Sequence, residues 1–170
     1  LIEALDHAGI SNDTKVSINF LNSEELDSKN YKKSLRGSDA ILVPGGFGDR
    51  GIEGMIMAAK YARETKTPYL GICLGLQIAI IEMARNMLKL KDANSTEFKK
   101  NTKNNVISLV TEWKNEDGTI EKRDQKSDKG GTMRLGAQKA SLKKGTLARQ
   151  LYKNNSIYER HRHRYEVNPE

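Results

Sequence analysis

Two short apolar runs, each broken off by glycine and each followed by a helical pattern, constrain this chain more than any other feature. Ala40-Ile41-Leu42-Val43 runs without a polar residue into Pro44-Gly45-Gly46-Phe47-Gly48, and Pro68-Tyr69-Leu70-Gly71-Ile72 runs into Cys73. The uninterrupted apolar run at 40–43 suits a central parallel strand covered on both faces. Between the two runs Ile52, Met55, Ile56, Ala59 and Ala62 recur at helical spacing. After the second, Ile78, Ile81, Ala84 and Leu88 predict an amphipathic helix from residue 74 to about 90. Strand, glycine-rich loop, helix, strand, sharp turn, helix is the order of βαβ units, so the fold class is α/β with an open, mainly parallel, doubly wound sheet.

The flanks are read more coarsely. Leu1 to Leu5 predicts a helix ended by Gly9, with neither a capping residue nor a strand before it, and we expect the protein to begin further upstream. Val16, Ile18 and Phe20 alternate as a strand would. Beyond Glu97, residues 106–110 read as a strand, and Asn115-Glu116-Asp117-Gly118 as a hairpin turn into Thr119-Ile120. A polar, glycine-bearing stretch over 122–131, expected to be a mobile loop, leads into 133–142 as part of an antiparallel β addition. A short helix over 146–152 and a strand within 157–167 complete the reading. With 170 residues, this makes one domain.

Composition narrows the function classes. No apolar run approaches the roughly 20 residues of a membrane helix, and the first residues lack the basic segment, apolar stretch and small-residue cleavage site of a leader, so secretion is not expected. Cys73 is the single cysteine, which rules out an internal disulfide and suits a reducing compartment, so a cytoplasmic location is expected. Charge is uneven: 12 Lys+Arg against 13 Asp+Glu up to residue 97, then 17 against 9. Such asymmetry marks nucleic-acid contact, a surface facing phosphates or a partner domain, or simply a lysine-rich solvated face. Composition by itself favours the last.

Gly71-Ile72-Cys73-Leu74-Gly75 is the residue pattern of a nucleophile elbow in its cysteine form, set between a predicted strand and a predicted helix. The position puts the sulfur at a helix amino end, where free N–H groups and the helix dipole favour thiolate. A thiolate that attacks a carbonyl creates an oxyanion and needs backbone donors nearby. The loop after Val43 leaves the carboxyl end of the neighbouring strand, the edge where open α/β sheets bind ligands, so the N–H groups of Gly46 and Leu74 are the expected donors. Taken without context, the cysteine could be buried and inert, and the glycines a tight turn or a phosphate cradle. A Walker loop is excluded, because its G-x-x-x-x-G-K-[ST] pattern is absent.

Pro44-Gly45-Gly46 together with Gly71-Ile72-Cys73-Leu74-Gly75-Leu76-Gln77 resembles the class I glutamine amidotransferases, whose sheet is flavodoxin-like. Further segments resemble the CTP synthases within that family: Gly51-Ile52-Glu53-Gly54-Met55, residues 94–98, Thr111-Glu112-Trp113, residues 126–137 and Glu159-Arg160-His161-Arg162-His163-Arg164-Tyr165-Glu166. The resemblance implies a glutaminase domain that releases ammonia from L-glutamine through a Cys73 thioester, for amination of UTP to CTP. By the same resemblance Gly46, Leu74, Gly75, Leu76 and Gln77 surround the glutamine. Glu97 pairs with its amino group and Arg164 with its carboxylate, one anion and one cation fixing the two ends. GTP is implied as an effector, with Phe47 and Arg50 as candidate contacts. A synthetase domain of the same enzyme, not contained in these residues, is implied to use ATP and Mg. No cofactor or metal is expected in this domain, and the full-length protein is expected to be a homo-oligomer.

One departure bears on activity. Relatives take their general base from a Phe-His-Pro-Glu segment, and none of His7, His161 and His163 is followed by Pro-Glu. The domain is therefore expected to be incomplete at both ends, and the 170-residue polypeptide inactive by itself. His161 and His163 are expected to be structural or interface residues. Two other readings compete: another Cys-dependent α/β hydrolase such as a γ-glutamyl hydrolase, and a basic nucleic-acid-binding module. The second is disfavoured because residues 160–164 lack interleaved aromatics, and neither nucleic acid nor membrane is expected as a partner.

Overall fold

A computed structural model describes residues 1–109, 112–114, 120–122 and 134–168, with 112–114, 120–122 and 134–135 described by their backbone alone. Strand β1 (Ile41–Val43) lies parallel to β2 (Tyr69–Gly71) in the register Ile41 to Tyr69, Leu42 to Leu70 and Val43 to Gly71. The pairing extends at both ends, from the Ile41 N–H to the Pro68 carbonyl at 2.9 Å and from the Ile72 N–H to the Val43 carbonyl at 3.0 Å. Pro44, which has no N–H to donate, follows directly on β1. Burial along β1 alternates with Ile41 and Val43 inside, and Leu70 in β2 is 54% exposed. Full cover on both faces, as the apolar run at 40–43 suggested, is thus not seen among the described residues.

Helix α3 (Ile52–Thr65) follows β1, and α4 (Leu74–Asn86) follows β2. One face of α3 places Ile52, Ile56 and Ala59 against Leu74, Ile78 and Ile81 of α4 and Ile107. Its other face places Ala58 and Ala62 against Ile41, Val43 and residues Tyr31 and Leu35, of which Tyr31 opens the short helix α2 (Tyr31–Ser34). Each wholly buried isoleucine in this core stabilises by about 1.5–3 kcal/mol. The α3–α4 seam also encloses a carboxylate. Glu82 is 1% exposed, accepts from Arg63 Nε and Nη2 at 2.9–3.0 Å and from Asn86 Nδ2 at 2.9 Å, and thereby keeps its charge paired. The Glu82 hydrogen bond raises the pKa of the Arg63 guanidinium further above its ordinary value.

Three expectations need correction. Helix α1 spans Ile2–Ser11 and runs through Gly9, whose carbonyl accepts from the Asn12 and Thr14 amides, so the helix ends after Gly9 and not at it. Val16 and Ile18 are half-buried, but residues 14–20 find no ladder partner among the described residues, and Phe20 is 73% exposed. Helix α4 stops at Asn86, short of residue 90, and Leu88 faces solvent ahead of a left-handed Lys89 (φ 63°).

The remainder is mostly antiparallel. Strand β3 (Asn94–Ser95) runs parallel to β4 (Asn105–Leu109), which pairs antiparallel with β9 (Tyr165–Val167). Strands β5 (Glu112–Lys114) and β6 (Ile120–Lys122) form the expected antiparallel pair. Strand β7 (Arg134–Ser141) pairs along its whole length with β8 (Ser156–His163), and α5 (Leu147–Tyr152) between them is capped by Thr146 Oγ1, which accepts from the Arg149 N–H at 3.3 Å. The strand expected within 157–167 is therefore two strands broken at Arg164. Val110, Thr111, the turn at 115–118, Thr119, most of the expected loop (123–131) and residues 132–133 lie outside the described residues. No described helix is long and apolar enough to cross a membrane.

Candidate active site

Backbone packing makes the turn between β2 and α4 unusually tight. A Cβ on Gly75 would lie 2.1 Å from the Val43 carbonyl oxygen, and one on Gly71 2.4 Å from the Gly75 carbonyl carbon, so neither position can carry a side chain. The strain of reversing direction between them falls on the central residue. Cys73 caps α4 with φ 55° and ψ −104°, a conformation costing a non-glycine residue on the order of 1–3 kcal/mol. The Tyr69 hydroxyl donates to the Gly75 carbonyl at 2.8 Å and steadies the turn from beneath; burial pushes the Tyr69 pKa well up. Cys73 itself is half-buried and free.

The loop after β1 lies against this turn. A Cβ on Gly45 would stand 3.4 Å from the Cys73 Cβ, and one on Gly46 3.2 Å from a Leu74 methyl. At the start of α4 the amides of Gly75, Leu76 and Gln77 reach the carbonyls of Ile72 and Cys73. Leu74, the first helical residue, has an N–H with no intrahelical acceptor. The structure thus sets Gly46 against Leu74 and Gly45 against Cys73. Leu74, Gly75 and Gln77 are buried, whereas the Leu76 side chain is 52% exposed.

Both predicted substrate charges reach the same region by different routes. Glu97 follows β3, where the buried Ser95 hydroxyl accepts from its N–H at 3.1 Å, and Glu97 Oε1 accepts the Gly48 N–H at 3.0 Å. The carboxylate is thereby fastened to the glycine-rich loop. Arg164 sits at the bend between β8 and β9, and its Nε is buried with no hydrogen-bond partner among the described residues. Tyr165 feels both charges. Its phenol pKa is raised first by burial and then by the Glu97 charge, while the Arg164 charge opposes the rise. The Tyr165 carbonyl accepts from Gln77 Nε2 at 3.0 Å, which fixes the arginine-bearing bend to α4.

Sequence reasoning missed Tyr165, Gly48 and Tyr69. Two of these act through backbone groups, which leave no trace in residue identity, and only the part-apolar, part-polar character of Tyr69 hinted at a partner for its hydroxyl. Of the expected effector contacts, Phe47 is 65% exposed on the glycine-rich loop, and Arg50 pairs with Glu24. His7 is exposed on α1, and His161 lies on β8 with His163.

Comparison with known proteins agrees with this geometry. A family model, glutamine amidotransferase class-I, matches residues 1–170. Among solved structures the chain is similar to the glutaminase domain of Trypanosoma brucei CTPS with bound acivicin, at 37% identity and a TM-score of 0.83. The match covers 98% of this chain and 61% of that one, so the chain spans about three-fifths of that neighbour. The mixed α/β fold, with its parallel sheet and antiparallel strands, matches the flavodoxin-like fold of that family.

Proposed function

Starting from the premise that this chain belongs to the class I glutamine amidotransferases, we propose that it is the glutaminase domain of a CTP synthase, releasing ammonia from glutamine through a thioester on Cys73. The observation that carries the proposal is the strained Cys73 (φ 55°) at the start of α4, beside a glycine loop on the neighbouring strand. In this reading the Cys73 sulfur attacks the side-chain amide carbon. The N–H groups of Gly46 and Leu74 receive the charge that develops on the amide oxygen. The C–N bond then breaks, ammonia leaves with a proton taken up from an acid, and water opens the thioester to glutamate.

The orphan Arg164 Nε takes the substrate α-carboxylate, and the Glu97 oxygen not committed to Gly48 takes the α-ammonium. Gln77, whose amide nitrogen is held by Tyr165, positions the arginine and lines the pocket with Gly75 and Leu76. The domain would work with a synthetase domain that uses ATP and Mg to activate UTP, in a homo-oligomeric cytoplasmic enzyme. Phe47 and Arg50 are the proposed GTP contacts. GTP activation that survived both Phe47→Ala and Arg50→Ala would remove them.

In the full-length enzyme, Cys73→Ser should lower glutamine-dependent CTP formation on the order of 10⁴-fold or more, while synthesis from free ammonia continues. Unchanged glutamine-dependent synthesis would overturn the assignment. The 170-residue polypeptide should be labelled at Cys73 by an electrophilic glutamine analogue without steady ammonia release, because proton transfer by a positioned acid or base is worth about 10²–10⁴-fold. Sustained turnover that His163→Ala abolishes would show the base to lie on β8.

A further inference from the structure

His161 and His163 lie on one face of β8, and the alternation of the strand puts Arg160 and Arg162 on the other, where both are exposed. His161 Nδ1 is 2.8 Å from His163 Nε2, and the same His163 nitrogen is 3.5 Å from Glu166 Oε1. One atom from each residue falls within 4.8 Å of the others, and all three side chains are half-buried. The glutaminase reaction proposed above uses none of them.

We propose that His161, His163 and Glu166 form a binding site for a borderline divalent transition-metal ion, zinc foremost. Two imidazoles and a carboxylate are the donor set such an ion selects. Tetrahedral zinc, with bonds of about 2.0–2.2 Å, places its ligand atoms roughly 3.3 Å apart, and the observed separations bracket that value. The outer contacts fit as well. His163 Nδ1 lies 3.2 Å from the Tyr165 carbonyl, which can accept only from a protonated Nδ1. This fixes the tautomer with the Nε2 lone pair turned toward His161 and Glu166, in the way metal-bound imidazoles are held by backbone carbonyls. On binding, the ion replaces the proton held between the two rings, and that proton passes to solvent. A fourth position remains for water.

The site also has a mechanical consequence. The carbonyl that orients His163 is the one that holds Gln77, so a seated ion ties β8, the Arg164 bend and α4 into one rigid connection.

Metal binding by the 170-residue protein tests this, with zinc competed against a chromophoric chelator and cobalt(II) as a spectroscopic substitute. One equivalent should bind. The cobalt spectrum should show tetrahedral nitrogen and oxygen ligation without a thiolate charge-transfer band. His161→Ala and His163→Ala should each weaken zinc at least 10-fold, Glu166→Gln should weaken it less, and Cys73→Ser and Arg162→Ala should leave it unchanged. Absence of stoichiometric binding by the unmodified protein, a thiolate band, loss of binding in Cys73→Ser, or retention in the His161→Ala/His163→Ala double variant would each overturn the proposal.

Discussion

The elbow region and the β7–β8 ribbon are built on opposite principles. Around β1, β2, α3 and α4 the backbones touch, apolar side chains are enclosed, and the buried Glu82 carboxylate is paired with both Arg63 and Asn86. In the ribbon, order comes from a ladder of backbone hydrogen bonds, and Tyr158 on β8, like Leu147 and Leu151 on the connecting α5, is about 70% exposed. Tight packing makes a region intolerant of single atoms. A ladder is indifferent to most side chains but depends on pairing.

Five substitutions would sharpen or break this contrast. The largest effect is expected from Gly75→Ala, whose new methyl must displace the Val43 carbonyl; denaturant unfolding should show a loss of about 3 kcal/mol or more. Its counterpart in the ribbon, Gly136→Ala, meets no atom within 4 Å and should cost only the roughly 1–2 kcal/mol of its left-handed backbone (φ 88°). Equal losses at the two glycines would dissolve the distinction.

Next is Arg63→Ala, which leaves Glu82 buried with Asn86 as its remaining side-chain partner. Because the Arg63 side chain is about one-third exposed, the loss should fall below the 3–5 kcal/mol of a wholly buried pair, near 2 kcal/mol by chemical denaturation.

Tyr69→Phe removes one hydrogen bond and should cost about 1 kcal/mol at neutral pH. It also has a pH signature. The folded protein holds the phenol protonated above its ordinary value of 10.0, so the unfolded state loses its proton first, and stability present below pH 10 declines as pH rises beyond it. Unfolding of the phenylalanine variant, followed from pH 8 to 11, should lack this part of the alkaline decline. The smallest effect belongs to Leu151→Ser on α5, the helix that connects the strands of the ribbon, expected within about 0.5 kcal/mol of the unmodified protein.

The same contrast explains what the sequence made legible. Helices α3 and α4 and the elbow could be read because packing there dictates residue type: isoleucine and alanine at helical spacing, and glycine wherever a Cβ would strike backbone. Cys73, Gly46 and Leu74 came with them. The ends were harder, since apolar residues such as Phe20 and Leu88 continue a periodic pattern into solvent, where nothing rewards it. The break at Arg164 was invisible for a related reason. A strand was expected within 157–167, and what divides that range is the placement of β9 against β4, a distant pairing with no local signature. Glu97 and Arg164 were identifiable only through family resemblance, because by themselves a carboxylate after a short strand and an arginine among arginines are commonplace.

The Tyr165 carbonyl accepts from Gln77 on one side and faces His163 on the other, so both of its lone pairs are spoken for. A backbone oxygen is beyond the reach of ordinary genetics: whatever residue is encoded at 165, the junction keeps its acceptor, and only the two donors can drift. Chemical synthesis can reach it. An ester in place of the 165–166 amide would keep every side chain while making that oxygen a poorer acceptor and removing the Glu166 N–H, a change that no codon can make.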